Sequence, residues 1–132
     1  MHITGLHHIA IIASDYARSR DFYHRVLGLE VIAENWREEK QSWKLDLALP
    51  GGGRIELFSF PAPPPRPTRP EACGLRHLAL ACDDAAAMRE RLRADGVAVE
   101  PLRIDEYTGA RFFFCADPDQ LPIEFYQAEA GN

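Results

Sequence analysis

The sequence predicts an α+β fold built from two βαβββ modules in tandem. The first observation is an internal repeat: residues 5–11 (GLHHIAI) resemble residues 74–80 (GLRHLAL), and residues 54–58 (RIELF) resemble residues 122–126 (PIEFY). The second is that each half contains one apolar pattern of helical period and several apolar patterns of strand period. A chain that repeats itself in this way is typical of a duplicated module.

In the first module, the pattern indicates one strand, one helix and three further strands. Residues 6–13 are apolar, which predicts a buried strand, and Ser14 or Asp15 then offers a helix N-cap. The helix is predicted from apolar residues at helical spacing, namely Phe22, Tyr23, Val26 and Leu27. Gly28 is placed to end this helix. The remaining strands are predicted at residues 29–35, 42–49 and 54–60.

The second module repeats this order of elements. Residues 75–82 predict a strand, and Asp83 or Asp84 predicts the N-cap of a helix that ends at Gly96. Three strands are predicted after the helix, at residues 97–104, 111–116 and 121–127. The repeat therefore extends over all five elements of the module.

A proline-rich linker is predicted between the modules, so that residues 1–60 form the first module, 61–73 the linker and 74–132 the second. Residues 61–70 include six prolines, which exclude helix and sheet interior. We interpret the stretch as an extended, polyproline-like spacer of ~3.1 Å per residue; a ligand for a proline-binding domain is the alternative. The modules can then pair within one chain or across a dimer.

The composition of the 132 residues narrows the function classes. The net charge of −5 argues against nucleic acid, which binds a basic face, and no apolar run approaches the ~20 residues of a membrane span. No secretory signal pattern is present, and Cys73, Cys82 and Cys115 show no CxxC spacing. We therefore expect a cytoplasmic protein with reduced thiols, buried at Cys82 and Cys115. We expect its partner to be a small-molecule substrate, with no nucleic acid and no membrane.

Four residues at equivalent points of the modules form the candidate site: His8 and Glu56 in the first module, and His77 and Glu124 in the second. Side chains alternate across a strand, so each of them lies opposite a face of aliphatic or aromatic residues. A carboxylate in such a setting needs a compensating partner. Because imidazole and carboxylate groups bind divalent metals, we predict one ion held by all four, either Zn²⁺, Ni²⁺, Co²⁺, Fe²⁺ or Mn²⁺.

The alternative is a solvated sheet face on which each glutamate pairs with an arginine such as Arg54 or Arg111. The remaining histidines are assigned no ligand role. His2 is terminal, His7 is predicted to point away from the ligand face, and His24 lies on the first helix.

The segments around the four residues resemble the vicinal oxygen chelate superfamily, which includes glyoxalase I, methylmalonyl-CoA epimerase, extradiol dioxygenases and bleomycin- and fosfomycin-resistance proteins. The resemblance runs from residue 5 to residue 127 and is closest to small bacterial glyoxalase-I-like proteins of the YaeR type. It is carried by HHIAIIASDYARSRDFYHRVLGLEV, SWKLDLAL, IELFSFP, RPEACGLRHLA and DPDQLPIEFY. The last segment usually reads DPDG in the family, so Gln120 replaces a glycine there.

The resemblance implies that curved mixed sheets surround a metal-binding cleft, with ligands on the first and last strand of each module. Carried over by motif, these are His8 in HHIAI, Glu56 in IELF, His77 in RHLAL and Glu124 in PIEF. The implied activity is that of a lyase or isomerase which acts on a 2-oxoaldehyde–thiol adduct by proton transfer through a metal-stabilised enediolate. Glu124 is then the preferred catalytic base and Glu56 the second candidate.

Other activities of the same superfamily remain alternatives. They are acyl-CoA epimerisation, ring-cleaving dioxygenation, thiol transfer to an epoxide, and non-catalytic binding or resistance. Arg37, Tyr107 and Arg111 are weaker candidates for substrate contact. A homodimer is expected, because exposed sheet edges need covering and family members of this size are usually dimers.

Overall fold

A computed structural model describes residues 1–128, so that residues 129–132, the end of the predicted second module, lie outside the described residues. The chain divides into two compact units, Met1–Pro65 and Arg66–Asn132. Each unit contains one four-stranded mixed sheet and at least one helix. The predicted α+β class with a repeated βαβββ order is therefore confirmed.

The first unit is built from four strands and one helix. These are β1 (His8–Ala13), α1 (Tyr16–Asp21), β2 (Glu30–Arg37), β3 (Ser42–Ala48) and β4 (Arg54–Ser59). The sheet order is β1-β4-β3-β2, with β1 parallel to β4 and the other pairs antiparallel. Two short helical turns, Phe22–Val26 of π type and Glu38–Lys40 of 3-10 type, complete the unit.

The second unit repeats this topology. Its elements are β5 (Leu78–Cys82), α2 (Ala85–Ala94), β6 (Arg103–Ile104), β7 (Arg111–Ala116) and β8 (Pro122–Gln127). The sheet order is β5-β8-β7-β6, again with its first strand parallel to its last. Within residues 1–128, none of the helices combines the length and the apolar character needed to cross a membrane.

The helix boundaries follow the side chains that can satisfy free backbone groups. The Asp15 carboxylate accepts a hydrogen bond from the Arg18 backbone N–H at 3.2 Å, and the Asp84 carboxylate accepts one from the Ala87 backbone N–H at 3.0 Å. Of the two candidate caps at each helix, the aspartate next to the helix is therefore the one used. Gly28, after the first helical segment, has φ +75°, a left-handed conformation that suits glycine.

The core of each unit lies on the sheet face opposite the candidate ligands. Ile55 and Leu57, which flank Glu56 on β4, are fully buried, as are Ile123 and Phe113 in the second sheet. Glu56 and Glu124 are themselves only half-buried. The alternation expected from the sequence thus places the apolar residues inside and the glutamates on the open face.

Two predicted elements differ in the structure. The strand expected at residues 97–104 is reduced to Arg103–Ile104 and an isolated bridge between Val99 and Cys115, because Pro101 has no N–H to donate to a strand ladder. The linker is not extended throughout, since residues 68–71 form a turn. The Thr68 hydroxyl donates to the Gln120 carbonyl at 3.1 Å, which ties this turn to the β7–β8 connection.

Gln120 itself occupies the turn position at which the family usually has glycine. Its φ is +69°, in the left-handed region that glycine adopts without strain. The Asp117 carboxylate accepts hydrogen bonds from the Asp119 and Leu121 backbone N–H groups, both at 2.9 Å. The turn therefore keeps the left-handed residue although its side chain has changed.

Candidate metal centre

In the first unit, the structure brings the predicted pair His8 and Glu56 together. β1 and β4 are adjacent parallel strands, and Ala10 lies directly opposite Glu56. His8, two residues earlier on the same face, therefore reaches Glu56 diagonally, with 3.4 Å between His8 Nδ1 and Glu56 Oε2. The side chains are 40% and 12% exposed, so the carboxylate is the more enclosed of the two.

In the second unit, His77 and Glu124 are brought together in the same way. His77 immediately precedes β5, and Ala79 lies opposite Glu124 on β8. The distance between His77 Nε2 and Glu124 Oε1 is 3.4 Å, equal to that of the first pair. The two units differ in the ring nitrogen that faces the carboxylate, which is Nδ1 in His8 and Nε2 in His77.

Both pairs have the spacing of ligands that share one metal ion. Zinc binds imidazole nitrogen and carboxylate oxygen at about 2.0–2.2 Å, so two such donors on a tetrahedral ion lie roughly 3.3–3.5 Å apart. The observed separations of 3.4 Å lie within this range in each unit. The nitrogen and oxygen donor set also suits the divalent metals named above. The residues present therefore fit the metal that the sequence predicts.

The protein cation beside Glu56 is a lysine and not the arginine that the sequence suggested as an alternative partner. Lys44 Nζ lies 3.7 Å from Glu56 Oε1 and 2.7 Å from Asp46 Oδ1. Arg54 is 4.0 Å from Asp46. Lys44 would therefore compete with a metal ion for the Glu56 carboxylate.

Glu124 lies in a different environment, which contains aromatic rings. In the strand register, Phe114 on β7 is directly opposite Glu124, and its ring makes an edge contact with the His77 ring at 5.1 Å between centroids. Tyr126, the next residue on this face of β8, stacks on Phe112 at 6.2 Å. Within residues 1–128, His77 is the ion-pair partner of Glu124. Within the described residues, Glu124 thus differs from Glu56, which also has a lysine as an ion-pair partner.

His7 belongs to the first cluster, contrary to the prediction that it points away from the ligand face. His7 Nδ1 lies 2.9 Å from His8 Nδ1, and the donor atoms of His7, His8 and Glu56 all lie within 4.8 Å of one another. The prediction was wrong because β1 begins at His8, so strand alternation does not extend back to His7.

Arg76 constrains the protonation of His77. Arg76 Nη1 lies 3.1 Å from His77 Nδ1, and because a guanidinium group only donates, Nδ1 accepts this hydrogen bond. A neutral His77 ring then carries its proton on Nε2, the atom that faces Glu124. A ring that bound a metal through Nε2 would carry its proton on Nδ1 instead, so the Arg76 contact would have to open for His77 to act as a ligand.

A cavity of about 200 Å³ lies within the second unit, and its lining includes Arg76 and Phe114, which both contact His77. Arg69, Arg76 and Arg103 line it together with Phe114, the residue whose ring contacts His77. Glu71 and Glu100 are also in the lining, and Glu100 accepts a hydrogen bond from Arg103 at 3.0 Å. Arginines at this point can bind an anionic group next to the candidate metal ligands.

Of the weaker candidates for substrate contact, Arg37 has a defined position. Its guanidinium lies 4.7 Å above the centroid of the Phe58 ring, and Phe58 shares the open face of β4 with Glu56. Arg37 Nη2 also donates to the Ser42 hydroxyl at 2.8 Å. Tyr107 is 89% exposed and Arg111 is exposed.

Comparison with known proteins identifies the family. Residues 5–125 match the Glyoxalase/Bleomycin resistance protein/Dioxygenase superfamily, and the chain belongs to this family. The uncharacterized protein YwkD of Bacillus subtilis is 54% identical over 96% of this chain and 99% of its own length. The uncharacterized protein YaeR of Escherichia coli is 56% identical over 92% and 95%. The predicted resemblance is therefore confirmed.

Solved structures agree with this assignment. SMU.1112c is 44% identical and superposes with a TM-score of 0.91, over 95% of this chain and 99% of that protein. A glyoxalase family protein from Enterococcus faecalis is also 44% identical, with a TM-score of 0.87 over 96% and 99%. FosX of Listeria monocytogenes, a fosfomycin resistance protein solved with Mn(II) and sulfate, is 20% identical with a TM-score of 0.72 over 98% and 96%, which shows the shared fold alone.

Proposed function

We propose that this protein is a metal-dependent lyase or isomerase of the glyoxalase I type, which acts on the adduct of a 2-oxoaldehyde and a thiol. His8, Glu56, His77 and Glu124 are the proposed ligands of one divalent ion. The observation that carries the proposal is the 3.4 Å separation within both His–Glu pairs, the spacing of donors on a common ion. Membership of a superfamily that includes metalloenzymes supports it.

The bound ion supplies Lewis-acid chemistry, which polarises oxygen atoms of a substrate. Glu124 is the proposed general base: its carboxylate takes a proton from one carbon of the adduct and returns it to the neighbouring carbon, while the hydroxyl proton moves from the oxygen on the first carbon to the oxygen on the second, giving a 2-hydroxyacyl thioester. The atoms balance, because the substrate and the product are isomers. Glu56 is less suited to this role because Lys44 lies 3.7 Å from its carboxylate.

The arginine-lined cavity of the second unit suggests how such a substrate is oriented. Arg69 and Arg76 line the cavity, and Phe114 connects it to His77. A carboxylate at the far end of a thiol adduct forms charge-assisted hydrogen bonds with arginines. This arrangement supports a substrate that carries a negatively charged group away from its reacting carbons.

Binding without turnover is the second candidate function. It is favoured by the similarity to TnmS3 of Streptomyces, an antibiotic-binding protein that is 25% identical with a TM-score of 0.75. The metal-dependent alternatives are acyl-CoA epimerisation, dioxygenation and thiol transfer, of which dioxygenation needs only two histidines and one carboxylate. Retained metal without turnover of any thiol adduct separates these functions from the glyoxalase reaction.

The decisive experiment compares Glu124→Gln with the matched variant Glu56→Gln. We expect Glu124→Gln to keep its metal but to lose ~10²-fold or more in turnover of methylglyoxal–thiol adducts, as removal of a general base does. Glu56→Gln should lose less. The assays are metal content by elemental analysis, product formation, and deuterium uptake from solvent as the measure of proton transfer.

Full activity of Glu124→Gln would refute the assignment of the base. A His77→Ala variant that binds the metal with unchanged affinity would refute the four-ligand site. A homodimer and a cytoplasmic location complete the proposal, and sedimentation equilibrium at micromolar concentration measures the first of these.

A further inference from the structure

We propose that His7 is a third metal-binding side chain of the first unit, and that His7, His8 and Glu56 together bind a divalent ion without any donor from the second unit. This inference goes beyond the proposed function, because it concerns the capture of metal and not turnover. It rests on a cluster of donor atoms that strand alternation does not predict.

The donor atoms are spaced as ligands of one ion. His7 Nδ1 and His8 Nδ1 are 2.9 Å apart, and His8 Nδ1 and Glu56 Oε2 are 3.4 Å apart. Adjacent donors at about 2.0–2.2 Å from an ion lie roughly 2.9–3.5 Å apart, depending on the coordination geometry. The separation between His7 and Glu56 is within 4.8 Å, and the exposed His7 ring can close the remaining difference by rotation about its side-chain bonds.

Without a metal, the two imidazoles share one hydrogen bond. One Nδ1 atom donates and the other accepts, so the pair holds one proton between its nitrogens. A divalent ion bound to both nitrogens would take the place of that proton, which the neutral donor ring would then carry on Nε2. The contact observed between the rings is therefore the arrangement that an ion would replace, with no change in the strands.

The repeat makes this property specific to the first unit. In the matching segments GLHHIAI and GLRHLAL, the position of His7 is occupied by Arg76. A guanidinium is a permanent cation without a lone pair to offer, and Arg76 instead donates to His77 at 3.1 Å. The first unit thus offers three donors, whereas the second offers two donors and a repelling charge.

Exposure also favours entry of metal at the first unit. His7 is exposed and His8 is 40% exposed, against 24% for His77. Within residues 1–128, one group of three potential metal ligands has all of its donor atoms within 4.8 Å of one another, and it consists of His7, His8 and Glu56. A divalent ion in solution would therefore reach this group more readily than the His77–Glu124 pair.

The test uses the full chain with both donors of the second unit removed, His77→Ala together with Glu124→Ala. Titration with Co²⁺, followed by its visible absorption, should show one ion bound. Adding His7→Ala to this background should weaken binding by about tenfold or more, because even the loss of a residue that only supports a ligand costs ~10–100-fold. His2→Ala, which removes another exposed histidine, is the matched control and should leave the affinity unchanged.

The mirror variant, His8→Ala together with Glu56→Ala, should bind Co²⁺ about tenfold more weakly than the first double variant. Equal affinities in the two double variants, or no effect of His7→Ala, would overturn the proposal. Circular dichroism verifies that each variant is folded. If a double variant does not fold, the rate of metal uptake is measured instead in the wild type and in two single variants. The His7→Ala variant should take up metal more slowly than the wild type, whereas the His2→Ala variant should take it up at the same rate.

The result is independent of the proposed reaction. A wild-type protein that binds metal but turns over no thiol adduct would refute glyoxalase activity and leave the role of His7 standing. Conversely, an active enzyme in which His7→Ala changes neither metal affinity nor uptake would refute the role of His7 alone.

Discussion

Replacement of Lys44 by methionine tests the competition between a protein cation and a metal ion for Glu56. Lys44 Nζ lies 3.7 Å from Glu56 Oε1 and 2.7 Å from Asp46 Oδ1. Methionine keeps much of the length and apolar surface of the lysine stem but removes the charge. The Glu56 carboxylate then has no ion pair with Lys44 to lose when it binds a metal ion, so metal binding should strengthen.

The size of this effect follows from the distance and the exposure of the pair. Unit charges at 3.7 Å attract by ~1 kcal/mol in water, and by several-fold more at an effective dielectric constant of ~20. The Lys44 and Glu56 side chains are 29% and 12% exposed, so the value for water is the lower limit. It agrees with the range of up to ~1 kcal/mol measured for exposed ion pairs. One kcal/mol corresponds to about a fivefold lower dissociation constant for the metal.

The assay is calorimetric titration of the metal-free protein with Zn²⁺, at low salt and again at about 1 M salt, where the gain should shrink because surface charges are screened. Arg54→Met is the control, since Arg54 lies 4.0 Å from Asp46 and, within residues 1–128, forms its ion pair with Asp46 and not with Glu56. Unchanged or weaker binding by Lys44→Met would refute the reasoning and indicate that Lys44 orients the Glu56 carboxylate for the metal.

Two further predictions concern groups outside the candidate centre. Burial raises the pKa of the Cys115 thiol to about 12, so iodoacetamide at pH 8 should label the exposed Cys73 in the native protein and should label Cys115 only after unfolding, as read by mass spectrometry. The hydrogen bond from Arg20, at 2.8 Å, lowers the pKa of Glu34. Its stabilising effect is therefore present above the unfolded pKa of about 4.3 and is lost as the pH falls through the lower folded pKa. Glu34→Gln should cost up to ~1 kcal/mol in urea unfolding at pH 7 and less at pH 3, and an equal cost at both pH values would contradict this origin.

The internal repeat by itself determines most of the fold. Because side chains alternate strictly along a strand, the matched positions of Glu56 and Glu124 sufficed to place both on the face opposite the apolar core. The repeat also pairs each glutamate with the histidine of its own module. The nitrogen–oxygen distance of 3.4 Å in both His–Glu pairs agrees with this pairing. The strand predicted at residues 97–104 failed where Pro101 removed a backbone donor.

Only the tertiary structure decided which neighbours surround the ligands. Lys44 reaches Glu56 because β3 and β4 pair antiparallel with Asp46 opposite Glu56, a register that the alternation within one strand does not determine. His7 joins His8 because the chain before β1 does not follow strand geometry. Sequence periodicity determines the face on which a side chain lies, but the contacts across strands depend on register and strand ends, which are set by packing of the whole sheet.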